Sequence, residues 1–381
     1  MAKEKIRFWD VLISCGSLRI KAIKILDHIL GTFILFFLPS SKPVEASTVD
    51  IRKVLIVRPG GIGDAVHLLA LMRELKETFP QLQADILCEK RNHGVFESQP
   101  GLFDRIYCYD RLKDLFEVSG RRYDAIIDTE QWHYFSGLLG LKINSRIRAG
   151  FITRPLRAKL YNQKAGYKIN AYEMDNFKDL FNLVFRAQFK TENIDNSYRV
   201  ADDLQKWAKG QIPGRSVALF SGGSIPPRRL TGSQVKDLIV WIIRQGFCAV
   251  LLGGKDQAAL KRELKVEIRD DRFLNLIGET SLKESAALME QSALFIGTDS
   301  GLLHLACAVG TPVVGVFGPG NFKKWGPKGN RHTVVKENVS CSPCTQFGYT
   351  VPTCHGSYHC MSGIQWPLLC SAIEQQLSIK R

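Results

Sequence analysis

The sequence has no apolar run long enough to cross a bilayer as a helix. Its most apolar stretch runs from Ile29 to Leu38, with Phe33, Phe36 and Phe37, and stops at Pro39. That is about half the length a spanning helix needs. No convincing small-residue cleavage site follows it, although Val44-Glu45-Ala46 keeps a signal-peptide reading open. Low-complexity tracts and repeats of solenoid period are also missing, which excludes fibrous and repeat architectures. Acidic residues are scarce: 37 Asp and Glu stand against 52 Lys and Arg, for a net charge of +15. Such a balance points to anionic partners. No basic run is interleaved with aromatics as in a nucleic-acid module. Nucleic acid is therefore not expected as a partner, which leaves a phosphorylated small molecule or an acidic membrane surface.

A paired-cysteine framework is absent too. Of ten cysteines, six are single: Cys15, Cys88, Cys108, Cys248, Cys307 and Cys370. Cys88, Cys248 and Cys307 fall in apolar patterns as small buried hydrophobes, a usage that fits a reducing compartment. The other four form a cluster, Cys341-Ser342-Pro343-Cys344 with Cys354 and Cys360, and His355 and His359 lie nearby. Ligands enough for a structural zinc are present, but the second half lacks a tight pair. Structural metal, loop-stapling disulfides and free thiols all stay open, and none would be catalytic.

Basic residues crowd the beginning of the chain. Residues 1–24 carry Lys3, Lys5, Arg7, Arg19, Lys21 and Lys24 against Glu4 and Asp10. With the apolar stretch that follows, residues 1–50 read as a basic amphipathic segment lying on an anionic membrane surface, or as a helix packed on the protein itself. Ser40–Thr48 reads as a linker.

From Ile51 onward, strands alternate with helices, and 381 residues suffice for two domains. The pattern predicts an α/β fold of two doubly wound domains, 51–200 and 213–366, with a polar hinge at Asp195–Gly214 and a C-terminal helix at 367–381. Expected strands of the first domain are Lys53–Val57, Ala84–Leu87, Arg105–Tyr107, Tyr123–Ile127 and Arg146–Gly150. Those of the second are Ser216–Phe220, Cys248–Leu252, Phe273–Leu276, Leu294–Ile296 and Val313–Val316. In such sheets ligands bind at the carboxyl ends of the strands. Asp64 and Asp128-Thr129-Glu130 fall at such ends.

Two strand–turn–helix elbows carry the most information. One is Arg58-Pro59-Gly60-Gly61-Ile62-Gly63-Asp64 and the other is Asp299-Ser300-Gly301-Leu302-Leu303-His304. Each presents backbone N–H groups at a helix N-terminus, where anions bind. The first elbow lacks dinucleotide spacing, because Val66 takes the third glycine position and Glu89 is the only candidate ribose acid. NAD is thereby disfavoured. Gly61 and Gly63 would let a substrate approach the backbone, with Asp64 and His67 beside them. Asp64 alone could also be a helix N-terminal acid, His304 a satisfied core histidine, and Asp299 the cap of the following helix. Ser221-Gly222-Gly223-Ser224 with Arg228 and Arg229 makes a diphosphate cradle, and Asp256 lies where it could reach a ribose.

Three motifs together resemble glycosyltransferase family 9, the ADP-heptose:lipopolysaccharide heptosyltransferases. They are Val57-Arg58-Pro59-Gly60-Gly61-Ile62-Gly63-Asp64-Ala65-Val66-His67, Gly297-Thr298-Asp299-Ser300-Gly301-Leu302-Leu303-His304-Leu305-Ala306 and Gly310-Thr311-Pro312-Val313-Val314-Gly315-Val316-Phe317-Gly318-Pro319. The resemblance runs from about Ile51 to about Ile364. It implies a GT-B fold, two Rossmann-like domains flanking a cleft, with the acceptor on the N-terminal domain and a nucleotide sugar, ADP-linked by preference, on the C-terminal one. It implies inverting transfer with no cofactor required, and Asp64 as general base. Ser300 and Gly301 would hold the diphosphate, with Asp299 and His304 lining the site and Arg228 where the family often has a lysine. It also implies a lipopolysaccharide core or related anionic glycolipid as acceptor, and peripheral contact with the cytoplasmic face of a bacterial inner membrane. Arg228, Leu230-Thr231 and Leu69-Ala70 depart from the usual pattern. A nucleotide-sugar epimerase on the same fold and a non-catalytic nucleotide-sugar or glycolipid binder are the rival readings.

Overall fold

Short aliphatic runs become strands here because both faces of each sheet are covered by helices, as parallel sheets require. The computed structural model describes residues 18–44, 49–345, 354 and 358–378. It divides into two units, Met1–Glu192 and Asn193–Arg381.

The first unit runs α1 (Leu18–Phe37), β1 (Lys53–Arg58), α2 (Ile62–Thr78), β2 (Gln83–Cys88), α3 (Lys90–Glu97), β3 (Arg105–Cys108), α4 (Leu112–Ser119), β4 (Arg122–Asp128), α5 (Phe135–Lys142), β5 (Asn144–Ile152), a 3-10 turn (Pro155–Lys159), β6 (Gln163–Gly166) and α6 (Glu173–Phe185). Its strands lie in the order β3-β2-β1-β4-β5-β6, all parallel. Val54, Leu55, Ile56 and Val57 are buried throughout. Leu55, Val57, Leu87, Tyr107 and Ile126 share one core cluster with Val118 of α4, and α2 packs on α3 and α6. A smaller cluster of Leu35, Tyr134, Leu160 and Tyr161 seats α1.

The second unit runs α7 (Asp202–Gln211), β7 (Ser216–Phe220), α8 (Gly232–Arg244), β8 (Cys248–Leu251), α9 (Ala258–Glu267), β9 (Phe273–Asn275), α10 (Leu282–Gln291), β10 (Leu294–Thr298), α11 (Gly301–Ala308), β11 (Val313–Phe317), α12 (Phe322–Trp325), β12 (His332–Lys336), α13 (His359–Ser362) and α14 (Trp366–Ser378), with short 3-10 turns after β7 and β8. The order β12-β11-β10-β7-β8-β9 repeats that of the first unit. α8 starts at Thr231, whose side chain accepts the Gln234 N–H in a capping box. α14 covers β10, β11 and β12.

The sequence pattern gave no counterpart for α4, α5, β6, α6, α12, β12 and α13, of which all but the thirteen-residue α6 have only four to eight residues. The expected hinge at Asp195–Gly214 holds α7 instead, which packs on α10. Asp195 pairs there with His332 at 2.8 Å, and the Tyr198 N–H donates to the Ala308 carbonyl. The segment reads as polar because only one side of α7 is covered, with Ala208 its single buried residue. Among the described residues no helix is long and apolar enough to cross a membrane.

Candidate functional site

In each sheet the winding direction reverses at one place, between β1 and β4 in the first and between β7 and β10 in the second. Ligands gather outside the carboxyl ends of strands at such points. Both elbows are there.

In the second unit, β10 ends at Thr298, whose hydroxyl donates to the Gly222 carbonyl and ties the two switch-point strands together. Ser300 is the N-cap of α11, yet its side chain makes no capping bond. The Ser300 hydroxyl is buried and, among the described residues, has no hydrogen-bond partner. The first N–H groups of α11 are thus presented beside an unused hydroxyl, an arrangement suited to an anion. Asp299 is not the helix cap. It is buried, and its Oδ2 lies 3.3 Å from Arg228 Nη1. Arg228, on the 3-10 turn Pro226–Arg228, is itself 8% exposed and donates from Nη2 to Thr345 Oγ1 at 3.2 Å. A side chain at Gly320 would collide with Asp299 Oδ2. The Gly222-Gly223 loop is equally tight, since a Cβ on Gly223 would stand 2.9 Å from Arg228 Cβ. His304 is buried with its ring edge-on to Trp325, centroids 6.0 Å apart. Lys324, 3% exposed with its ammonium 5.3 Å from the Trp325 ring centre, was not singled out by the sequence. Its only signal was proximity to the Gly318-Pro319-Gly320 turn. Ser224 is exposed at the end of the glycine loop. Asp256 is exposed as well, 3.7 Å from Arg229 Nη2, so it stands at the rim rather than inside.

In the first unit, Gly60 has φ +117, a conformation that favours glycine, and a Cβ there would stand 2.9 Å from Arg58 Nη2. Gly61 caps α2 through an extended backbone without a side-chain bond, and Gly63 lies in the first helical turn. Asp64 follows, 19% exposed, with Oδ2 3.8 Å from Arg58 Nη2. Arg58 is buried: it donates from Nε to the Pro59 carbonyl at 2.7 Å and from Nη1 to the Thr129 carbonyl at 2.8 Å. A fixed guanidinium therefore stands behind a partly open carboxylate. His67 does not join them. It is fully buried, edge-on to Tyr172 at 5.2 Å, on the face of α2 turned into the core.

Asp128-Thr129-Glu130 form the floor beneath this elbow. Asp128 accepts from Tyr161 at 2.6 Å and Ser136 at 2.8 Å and pairs with the fully buried Arg157 at 3.6 Å. Burial pushes its carboxyl above the usual range, against the pull of Arg157 and these donors. Burial also pushes Glu130 up, but His133, Arg58 and Arg157 outweigh it and hold that carboxyl low. Glu173 receives Gln131 at 2.7 Å and Tyr167 at 2.8 Å. Asp128 and Glu173 accept protein donors on both oxygens and Glu130 accepts the Trp132 and His133 N–H groups on Oε1, whereas Asp64 is partly open. Glu89 caps α3 and pairs with Arg91 at 2.7 Å.

Among the described residues the cysteines are free thiols, Cys341 and Cys354 exposed and Cys360 buried. Burial, and then the neighbouring Cys360, Cys341 and Cys354, push the Cys344 thiol up to about 11. Among the described residues no group of three or more His, Cys, Asp or Glu is placed to hold a metal. His355 and Cys15 lie outside the described residues.

The model of glycosyltransferase family 9 (heptosyltransferase) matches residues 115–354. Lipopolysaccharide heptosyltransferase 3 of Escherichia coli strain K12 is 35% identical over 297 residues, 70% of this chain and 82% of its own length. A family 9 glycosyltransferase structure from Veillonella parvula superposes with a TM-score of 0.75 at 17% identity, covering 86% of this chain and 98% of that one. The Escherichia coli heptosyltransferase WaaC with ADP-2-deoxy-2-fluoro heptose gives 0.64 at 16% identity, covering 85% and 99%. These likenesses establish the GT-B fold.

Proposed function

Because the chain belongs to glycosyltransferase family 9, we propose that it moves a heptose or related sugar, with inversion, from an ADP-sugar to a lipopolysaccharide core or similar anionic glycolipid. One observation carries the donor half: an unpartnered buried Ser300 hydroxyl at the start of α11, beside the Arg228–Asp299 pair. The diphosphate would accept the α11 N–H groups and the Ser300 hydroxyl, with Arg228 beside it. These are fixed positive partners for the charge that grows on the leaving group. ADP is favoured because a heptosyltransferase of the same fold binds an ADP-heptose analogue.

On the acceptor side, Asp64 takes the proton of the attacking hydroxyl, positioned by Arg58. The hydroxyl oxygen bonds to the anomeric carbon. The bond from that carbon to the phosphate oxygen breaks, and its electron pair leaves on ADP. A metal at the cysteine cluster would have no part in this step. The work would take place at the inner face of the inner membrane, where such an acceptor is reached by peripheral contact.

Thermal shift with a panel of nucleotides tests the donor half. ADP and an ADP-sugar are expected to stabilise the wild type, and Arg228→Ala to lose that shift while keeping a cooperative melt. Arg228→Lys, which retains charge without the fork, should keep part of it. A shift by uridine or guanosine nucleotides instead would discard the heptose assignment, and no shift at all would discard the donor site.

A further inference from the structure

α1 is amphipathic in the reverse sense of an ordinary surface helix, which turns its apolar side inward. Its inward stripe begins polar. Asp27 accepts the N–H groups of Tyr134 and Phe135 at 3.1 and 2.8 Å, and His28 Nδ1 meets Arg154 Nη1 at 2.9 Å. Gly31 continues the stripe so close to Tyr134 that a Cβ would stand 2.6 Å from its ring. Leu35 is fully buried, and Lys159 Nζ donates to the Leu35 and Leu38 carbonyls at 2.8 and 3.0 Å, fastening the far end. The outward side is apolar and open. Leu26, Ile29, Leu30, Phe33, Phe36 and Phe37 are 48–70% exposed. Of seventeen large apolar side chains exposed among the described residues, nine lie between 23 and 37. Scattered apolar exposure is normal, but a patch of this density marks an interaction surface.

Charge selects the partner. Residues 131–172, which include the segments α1 rests on, contain eight Lys and Arg and not one Asp or Glu. Arg157 is buried against Asp128, while Lys142, Arg146, Lys164 and Lys168 are exposed and Arg148, Arg154 and Lys159 partly so. A second copy of the chain would bring the same positive rim against it. An anionic bilayer satisfies both the apolar side and the basic rim. Crossing is excluded for α1, whose polar stripe is fastened to the first unit. We propose that α1 lies flat in the surface of an anionic lipid bilayer, its outward side chains among the acyl chains and the 131–172 segment beneath the headgroups. Asp27 fastens that helix to the loop following Asp128, Thr129 and Glu130, so the acceptor-side elbow is held at the lipid surface. The purpose of this docking rests on the glycolipid acceptor proposed above; the docking itself does not.

Vesicle flotation of the full chain tests it. Wild type is expected to float with vesicles of phosphatidylglycerol and phosphatidylethanolamine, and far less with phosphatidylcholine alone. Phe33→Ser/Phe36→Ser/Phe37→Ser should float at least roughly tenfold less, since three large apolar groups leave the acyl region. Leu26→Gln/Leu30→Gln should behave likewise. Both variants should melt like wild type and keep its response to ADP, which separates a failure of docking from a failure of the donor site. The proposal is overturned if wild type does not float, or if both variants float as well as it does. A dimer in sedimentation that the variants lose, without vesicle binding, would make the face a contact between copies and also overturn it.

Discussion

Asp64 and Asp299 each follow a strand at the start of a helix, and their neighbours give them different work. Asp299 is enclosed by Arg228 and the Gly320 backbone, while Asp64 keeps an open edge with Arg58 behind it. The open carboxylate is the one that suits the base role proposed for Asp64. Asp64→Asn is expected to lower turnover about 10²–10⁴-fold, the usual contribution of a general base, with the ADP-induced thermal shift unchanged. Kinetics and melting curves on one preparation check this, and turnover within tenfold of wild type would remove Asp64 from the reaction. The motifs singled out both aspartates as candidates, and the glycine loop singled out Arg228. The inward turn of His67 was not, because helical spacing alone does not say which neighbour covers a face. Nor was the buried Lys324, since lysine is rarely enclosed and no pattern marks it.

At the scale of the element, α1 owes its position to Asp27. Burial pushes that carboxyl up, but the hydrogen bond from His133 and the N–H groups of Tyr134 and Phe135 outweigh it and hold it below the usual range. Glu74 is held low in the same way: burial pushes it up, and the N–H groups of Lys190 and Thr191 with the Thr191 hydroxyl outweigh that. A carboxyl whose folded value lies below its unfolded value, about 3.9 for aspartate, contributes stability that is full above that value and lost as pH falls through the folded one. α1 should therefore stay docked at neutral pH and loosen below about pH 4. Asp27→Ala should loosen it at every pH, by about 2 kcal/mol for charge-assisted bonds of this kind. Hydrogen exchange of residues 22–38 reads both effects, and unchanged protection in the variant would show that the Leu35 cluster alone holds the helix. The apolar stretch Ile29–Leu38 was plain in the sequence; of its two readings, packing on the protein has a counterpart in the buried Leu35 face, and the membrane reading is the one proposed for the open face. Periodicity could not separate them, because the inward stripe is polar at one end and apolar at the other.

At the scale of the molecule, the two halves repeat one strand order, and the residues proposed for the donor all come from the second. Gly222, Arg228, Asp299, Ser300, Gly320 and Thr345 meet within residues 193–381. Residues 193–381 expressed alone are therefore expected to give the same thermal response to ADP as the full chain, with no sugar transfer. A fragment that melts cooperatively yet ignores ADP would place part of the nucleotide site elsewhere. The sequence by itself determined the α/β class, the two doubly wound halves, the elbows and the family. Each of these is written in contiguous residues: aliphatic runs of strand length, glycines after them, an acid or hydroxyl at the helix start. The tertiary structure decided what depends on residues distant in the chain. It set Arg228 against Asp299, enclosed Asp128 with Arg157 and Tyr161, built the expected hinge into the second unit, and turned the apolar side of α1 outward. Those outcomes follow from which strands become neighbours at the switch points and which surfaces they leave to be covered, and no local pattern carries that information.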